Sequence, residues 1–489
     1  MDEDIHENLY NEIMEQFESY HNVYSHLYRL NTNDEKEIDT LFQEINNYLI
    51  VTKINLPVQV LSKLSIIAAY NNRYLKSYWS LFKKIYSKYR PKPAAFLSSF
   101  FKYLFYKEYN IYWDEESKDV VQRYQFDEFS SFLVCEDYNL IKNTIYQAIV
   151  DDNICLFVTL IEGGFDEKQM IKKGYFPFSA AGYSLLELCC YYESVRCFKF
   201  LRTKFDSKIS QKCLQFSFLR RNCDIINECL KEIKPDKETM KNAIISHLND
   251  YVTYLMNEHD LTINVEYCCK YNNLQAFAIY LQETNDINNC FIYSPWFNIP
   301  KLCEYLILHG ADVNIKDKRK NNALFLVQDP LSLETIEILL NHGIDYKSID
   351  WRQQTILHIY VANNMYEQAK LLLERCPDIN VNAVDKYKLT PLHVAAGKSS
   401  AQIIELLLNY GAEVNAQDVT GETPLQKAVS TSNIEVIKLL INNGADINME
   451  DDNGITALQI AARKNCQIVI QFFTSQGLCF NEKSKIDCF

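Results

Sequence analysis

Asp385, Asp418 and Asp451 are spaced by 33 residues. So are Thr390, Thr423 and Thr456, Leu392, Leu425 and Leu458, and Asn382, Asn415 and Asn448. A register kept by four residue types restricts the chain to a stack of near-identical units. Between these landmarks stand DKYKLTPLHVAA, DVTGETPLQKAV and DDNGITALQIAA, each followed by an apolar helix and a GAEVN-like ending. In NIEVIKLLINNGADIN, Ile434, Val436, Ile437, Leu439, Leu440 and Ile441 cover too much of one short helix for it to stand alone. A two-helix unit of this size buries that face only against its neighbours. Thr390 or Thr423 is placed to cap a first helix, with Pro391 or Pro424 in its first turn. Gly411 and Gly444 follow the second helices, where a left-handed cap is expected.

These strings resemble the ankyrin repeat, a finger-like β-turn followed by two antiparallel helices. The register continues upstream in eroded form. Asp317 and Asp350 are 33 apart, as are Gly310 and Gly343, while 35 residues separate Asp350 from Asp385. A two-residue insertion is therefore expected within ERCPDINVN at 374–382. LCEYLILHGADVN at 302–314 reads as a second helix whose first helix, near FIYSPWFN, has lost the TPLH signature. GYSLLELCCYYESVRCFKFLRTKF at 182–205 fits the template with Cys189 and Cys190 at the two alanine positions, and residues 144–166 fit it more loosely. Between 210 and 285 helical pairs follow one another about every 28 residues, which predicts hairpins with shortened fingers. Gly421 and Gly454 occupy a left-handed turn position where other fingers carry Lys320, Gln353 and Lys388. Those three fingers are expected to be strained or differently shaped. The last repeat is expected to be the least protected, because the chain stops at Phe489 and leaves Ile468, Ile470 and Phe473 without a covering neighbour.

Residues 1–135 show no such register. In LYNEIMEQFESYHNVYSHLYRL, Tyr10, Ile13, Phe17, Tyr20, Tyr24 and Leu27 recur at three and four, which predicts an amphipathic helix. Charge is divided into blocks: residues 1–50 hold 12 acids and 2 bases, and residues 51–100 hold 9 bases and no acid. The basic run RYLKSYWSLFKKIYSKYRPK at 73–92 carries an apolar stripe of Tyr78, Leu81, Phe82, Ile85 and Tyr89. Arg73, Lys76, Lys83, Lys84, Lys88 and Arg90 surround it. Such a helix can pack its stripe inward against the acidic first helices, which is the preferred reading. It can also face an external partner, a membrane surface or nucleic acid. A net charge of −13 argues against a nucleic-acid binder.

YNNRYLKSY at 70–78, YLFYKEYNI at 103–111, GYSLLELCCYYESVRCFKFLRTKF at 182–205, CLQFSFLRRN at 213–222 and AIISH at 243–247 together resemble one family. It is the expanded set of ankyrin-repeat proteins of trichomonad protists, in which a helical domain of unknown function precedes a variable number of repeats. The resemblance implies an all-α architecture: an N-terminal helical domain at 1–135, degenerate ankyrin-like hairpins at 140–289 and ankyrin repeats at 290–489. It also implies a cytosolic interaction protein and offers no catalytic residue to transfer.

Gly and Pro are scarce, at 12 and 11, as suits a helical chain. The 16 cysteines form no CxxC and no zinc-type spacing, so they read as reduced and structural. Cys488 is too near the end for a prenylation box. An acidic start and the lack of a long apolar run predict a soluble, cytoplasmic chain. There is no GxSxG, GxxxxGK[ST], HExxH or kinase-like HRD, which predicts no enzyme and no cofactor or metal. His358 and His393 lie in TILH and TPLH, where hydrogen bonding within and between fingers is expected. Gln426 and Gln459 can replace that bond and Phe325 cannot.

Binding is then the expected function, through a concave surface of finger tips and first helices. Lys318, Arg319 and Lys320 occupy one tip, Trp351 and Arg352 the next, and Lys386, Tyr387 and Lys388 the third. The sign then reverses at Glu422, Asp451 and Asp452. Lys318, Arg319, Trp351, Arg352, Lys386 and Tyr387 are the candidate partner-binding residues, suited to a protein with an acidic surface. Ordinary solvated tips, with Trp351 lying back on its neighbour, are the competing reading. The sequence shows no small-molecule substrate.

Overall fold

The computed structural model describes residues 2–92, 96–114, 116–126, 144–164, 166, 182–327 and 332–475. The junction expected between 135 and 140, and the tail with Cys488 and Phe489, lie outside these residues. Among the described residues the chain is helical without a β-strand, and it divides into two compact units, Met1–Cys290 and Phe291–Phe489. The N-terminal helices and the hairpins up to Cys290 share the first unit.

In the first unit, five helix pairs follow one another: Ile145–Val150 with Ile154–Glu162, Leu185–Tyr192 with Val195–Phe205, Gln211–Arg220 with Cys223–Leu230, Lys237–Ile245 with Asn249–His259, and Val265–Lys270 with Leu274–Thr284. Each pair turns on one non-glycine residue in the left-handed region: Asp152, Glu193, Arg221, His247 and Asn272, with φ between 47° and 65°. Side-chain caps begin the inner helices. Ser184 accepts from the Glu187 N–H at 3.2 Å, and Asp236 accepts from the Thr239 N–H at 2.8 Å. Cys189 and Cys190 are fully buried, as expected for small residues at the alanine positions.

The N-terminal helices rest on this row of turns. The Tyr20 hydroxyl donates to Oδ1 of Asn272 at 2.7 Å, and Arg29 donates to the His247 carbonyl at 2.6 Å. Arg221 donates to the Tyr28 carbonyl at 2.5 Å, and Arg73 to the Tyr192 carbonyl at 2.7 Å. Tyr28 stacks on His247 with ring centroids 4.4 Å apart. The periodic run at 10–27 forms two helices, Asp2–Gln16 and Glu18–Tyr28, separated at Phe17, whose φ of −117° and ψ of 23° leave the helical region. Its apolar side is nevertheless core, with Ile13, Tyr20, Tyr24 and Leu27 buried.

Helix Leu75–Tyr89 packs its stripe inward: Tyr78, Leu81, Phe82 and Ile85 have no exposed surface. Tyr89 is half-buried and bonds Asn46. Lys84 lies 3.3 Å from Glu35 and 2.8 Å from Asp39, and Lys88 donates to Asn46 at 2.7 Å. Lys83 lies 3.7 Å from Glu108 of helix Ser99–Tyr109, so the neutralising acids come from that helix and from helix Glu35–Glu44 rather than from the first two helices. The membrane-surface reading of 73–92 loses its apolar face, because that face is already core.

In the second unit the fingers explain the register. One carboxylate oxygen of each landmark aspartate accepts two main-chain N–H groups. For Asp385 these are Tyr387 at 2.8 Å and Leu389 at 3.0 Å; for Asp350 they are Arg352 and Gln354, both at 2.8 Å. The landmark asparagines clamp the next repeat. Asn382 donates to the Gly411 carbonyl at 3.1 Å and accepts from the Glu413 N–H at 2.8 Å, and Asn415 bonds Gly444 and Asp446 in the same way. Gly411 and Gly444 take φ of 86° and 91° as left-handed caps.

Two sites depart from the template. Helix Tyr366–Arg375 ends at Cys376 with φ −124° and ψ 74°, so the insertion replaces the left-handed glycine exit with another turn. In the preceding repeat, that of Asp317, the first helix shrinks to a 3-10 turn over Ala323–Leu326, capped by Asn322 in place of threonine. At the far end, Phe473 corrects the expectation of an uncovered residue. It is fully buried with Val469 on the inner side of helix Gln467–Ser475, whereas Ile468 on the other side is 67% exposed.

Lys320, Gln353 and Lys388 keep the left-handed turn, with φ of 64°, 61° and 56° against 75° at Gly421 and 72° at Gly454. A side chain held there costs about 1–2 kcal/mol, and glycine recovers this less about 0.5–1 kcal/mol of chain entropy. Lys388→Gly should therefore raise the melting temperature by a few degrees, read by calorimetry; a clear drop would show that the lysine side chain stabilises the finger.

Candidate interaction surface

The finger tips are built from the backbone outward. In the fingers of Asp350, Asp385, Asp418 and Asp451 the residue after the aspartate donates its N–H to the preceding tip. Trp351 bonds the Arg319 carbonyl at 3.1 Å, Lys386 that of Arg352 at 3.0 Å, Val419 that of Tyr387 at 2.9 Å, and Asp452 that of Thr420 at 3.0 Å. This ladder ties the tips together through the main chain, although the Thr420 hydroxyl also donates back to Asp418 at 2.7 Å.

Along it the six candidate residues are all exposed. Trp351 and Tyr387 keep 52% and 51% of their surface in solvent. The Arg352 guanidinium lies 4.6 Å from the Trp351 ring centre, and the Lys386 ammonium 5.1 Å from it. Lys386 is also 4.7 Å from the Tyr387 ring. Trp351, Arg352, Lys386 and Tyr387 thus form one cation–aromatic cluster, with each cation set over a ring face where the quadrupole attracts it. Lys318 and Arg319 stand on the adjoining tip, and no such ring contact joins them to the cluster among the described residues.

Three apolar residues on the same fingers are exposed although polarity alone did not single them out: Ile349, Val384 and Val419. They stand immediately before or after a landmark aspartate, the positions the turn holds outward. The sign change is sharper in sequence than in structure. Glu422 turns back to pair with Lys427, which also lies 2.8 Å from Asp418, so of Glu422, Asp451 and Asp452 the exposed acid is Asp452.

His358 and His393 are framework. The Thr355 N–H donates to Nδ1 of His358 at 3.2 Å, and Nε2–H of His358 donates across to the Leu389 carbonyl at 2.9 Å. His393 repeats the pattern with Thr390 at 3.1 Å and Glu422 at 3.0 Å. Gln426 reproduces both bonds, accepting from the Thr423 N–H at 2.7 Å and donating to the Ile455 carbonyl at 2.7 Å. Both histidines are buried, and burial lowers their pKa from the ordinary imidazole value. In the unfolded chain they bind protons near the ordinary value of about 6.5. The unfolded state therefore takes up more protons below that pH, and their stabilising effect, full above it, is lost as the pH falls. Replacing both with glutamine should cost within about 1 kcal/mol at neutral pH and make the melting temperature fall less steeply between pH 6.5 and 4.5. An unchanged slope would remove them as the acid-sensitive groups. His358→Ala should cost about 2–4 kcal/mol by leaving two buried main-chain groups unmet.

Comparison with known proteins agrees with this geometry. The family model described as ankyrin repeats (3 copies) matches residues 290–385, 350–418 and 392–484. A domain of unknown function, DUF3447, matches residues 205–280. The chain therefore carries a DUF3447 domain followed by ankyrin repeats, and that domain falls on the helical hairpins rather than on residues 1–135. Among curated relatives, I-Kappa-B like protein C2 of Microplitis demolitor bracovirus is 23% identical over 166 residues, covering 34% of this chain and 81% of its own. Alpha-latrotoxin-Lg1a of Latrodectus geometricus is 32% identical over 108 residues, covering 22% of this chain and 8% of the toxin. Transient receptor potential channel pyrexia of Drosophila melanogaster is 30% identical over 140 residues, covering 28% of this chain and 14% of the channel. The chain thus spans only a small part of the latter two proteins.

Proposed function

We propose that this chain is a non-enzymatic scaffold or adaptor that binds a protein with an acidic surface through the concave side of its ankyrin repeats. The single observation that carries the reading is the cluster of Trp351, Arg352, Lys386 and Tyr387. Two half-exposed rings carry cations on a main-chain ladder, and these are the residue types that anchor interfaces. A tip held in place by backbone bonds loses little freedom on binding, so most of the contact energy appears as affinity. Lys318 and Arg319 would extend the positive surface and speed encounter with an acidic partner.

The ankyrin repeats support a protein partner, and a cytoplasmic location is part of the same proposal. Among the described residues no helix is long and apolar enough to cross a membrane. Assignment to the trichomonad set rests on the sequence strings at 70–78, 103–111, 182–205, 213–222 and 243–247.

Changing Trp351 and Tyr387 together to alanine should weaken capture by roughly 2–4 kcal/mol, with the melting temperature close to wild type. The measurement is affinity capture from cells, comparing wild type and the double variant partner by partner. Capture at wild-type strength would sink the assignment. Lys386→Glu should reduce the association rate and its dependence on salt, because a rim charge acts mainly on encounter.

A further inference from the structure

The first unit holds a cavity of about 270 Å³ where the N-terminal helices meet the hairpin turns, lined among others by Asn31, Asn71, Tyr74, Glu193, Arg220 and Arg221. Its volume falls just below the usual range for drug-sized ligands, about 300–1,000 Å³, which limits it to a small molecule or ion. Its charge is unusual for an interior. Arg220 is almost fully buried and held rigidly, with Nε donating to the Tyr191 carbonyl at 2.7 Å and Nη1 to Asn71 Oδ1 at 2.7 Å, above the Tyr191 ring at 4.4 Å. Arg221 donates through Nη2 to the Tyr28 carbonyl, but its Nε is buried without a hydrogen-bond partner. Arg29 and Arg73 stand close by, donating to the carbonyls of His247 and Tyr192.

The cavity lining itself holds two guanidiniums, Arg220 and Arg221, and one carboxylate, Glu193, which lies 4.0 Å from the guanidinium of Arg73 outside the lining. Main-chain carbonyls satisfy donors but cancel no charge. Among the described residues neither Arg29 nor Arg221 has a carboxylate within ion-pair distance. A buried cation without a counter-charge is costly. Burial first, and the nearby Arg29 next, push the Arg221 pKa down to about 10. Burial also pushes the Glu193 carboxyl up against the opposing pull of Arg220, Arg73 and Arg221.

We infer that this cavity binds a small phosphate-bearing anion, with Arg221 and Arg220 as the charged wall, the exposed Asn31 at the mouth, and Glu193 as the group that opposes binding. Guanidinium forks match the oxygens of a phosphate, and a dianion offsets more of the excess charge than a monocarboxylate does. Because the site joins N-terminal helices to hairpin turns, occupancy should also stabilise the first unit. The cavity shares no residue with the finger surface, so the two sites stand or fall separately.

The test is titration of the full chain with pyrophosphate by calorimetry and thermal shift at fixed ionic strength, with malonate as the carboxylate control. Saturable pyrophosphate binding with a rise in melting temperature is expected, stronger than for malonate. Arg221→Gln should weaken it about tenfold or more by removing one of the two positive charges of the wall, and Glu193→Gln should tighten it several-fold by removing a repulsion. Glu193→Gln keeps the assignment testable should Arg221→Gln fail to fold. No saturable binding to wild type, equal binding of malonate, or a Glu193→Gln chain that binds no more tightly than wild type would each overturn it.

Discussion

A single aspartate oxygen that takes two main-chain N–H groups sets the shape of every finger, and much of the second unit follows from it. In Asp385 the oxygen holds the N–H groups of Tyr387 and Leu389, which closes the turn and pushes residues 386–388 outward. With the turn closed, the N–H of Lys386 meets the Arg352 carbonyl and the finger is tied to its neighbour. The turn also demands a left-handed residue, which glycine supplies at 421 and 454 and which Lys388 accepts at a cost. At Gly421 a second constraint applies, since a Cβ there would lie 2.7 Å from the backbone nitrogen of Asp452. That position needs glycine for space as well as for conformation.

The first unit uses a different device for the same problem. Its hairpins are stacked helix pairs too, but what caps their turns is a layer of other helices. Glu193, Arg221, His247 and Asn272 each hold a left-handed turn, and each turn region meets a tyrosine, arginine or asparagine from residues 20–73. Polar side chains on main-chain carbonyls make this junction specific without making it apolar. Its consequence is a row of arginines along the junction, two of which, Arg220 and Arg221, line the cavity beside Glu193.

Most of the second unit was legible because its landmarks repeat. Aspartate, threonine, leucine and asparagine at one period report a cap, a core contact and a clamp, and each has the role its chemistry allows. The histidine and glutamine interchange at 358, 393 and 426 was readable for the same reason, since both side chains can accept from one main-chain N–H and donate to a carbonyl. Position along the chain was a poorer guide than helical spacing. Phe473 stands near the end of the repeats, yet it is four residues from Val469 on the inner face of its helix and is fully buried.

From the amino-acid sequence alone came the repeat, its left-handed positions, the amphipathic character of 73–92 and the tips that carry Trp351 and Tyr387, because each is a local pattern with a local cause. Tertiary structure decided which way those patterns face. The stripe of Tyr78, Leu81, Phe82 and Ile85 could serve a core or a membrane, and it becomes core because Phe101, Phe105 and Trp113 close over Phe82 while Tyr78 donates to the Leu27 carbonyl. Arg352 and Lys386 lie 34 residues apart and meet over one indole ring only because the fingers stack. Arg221 and Tyr28 are 193 residues apart and share a hydrogen bond beside a charged cavity. Contacts of that span leave no periodic trace, so the chain must fold before they exist.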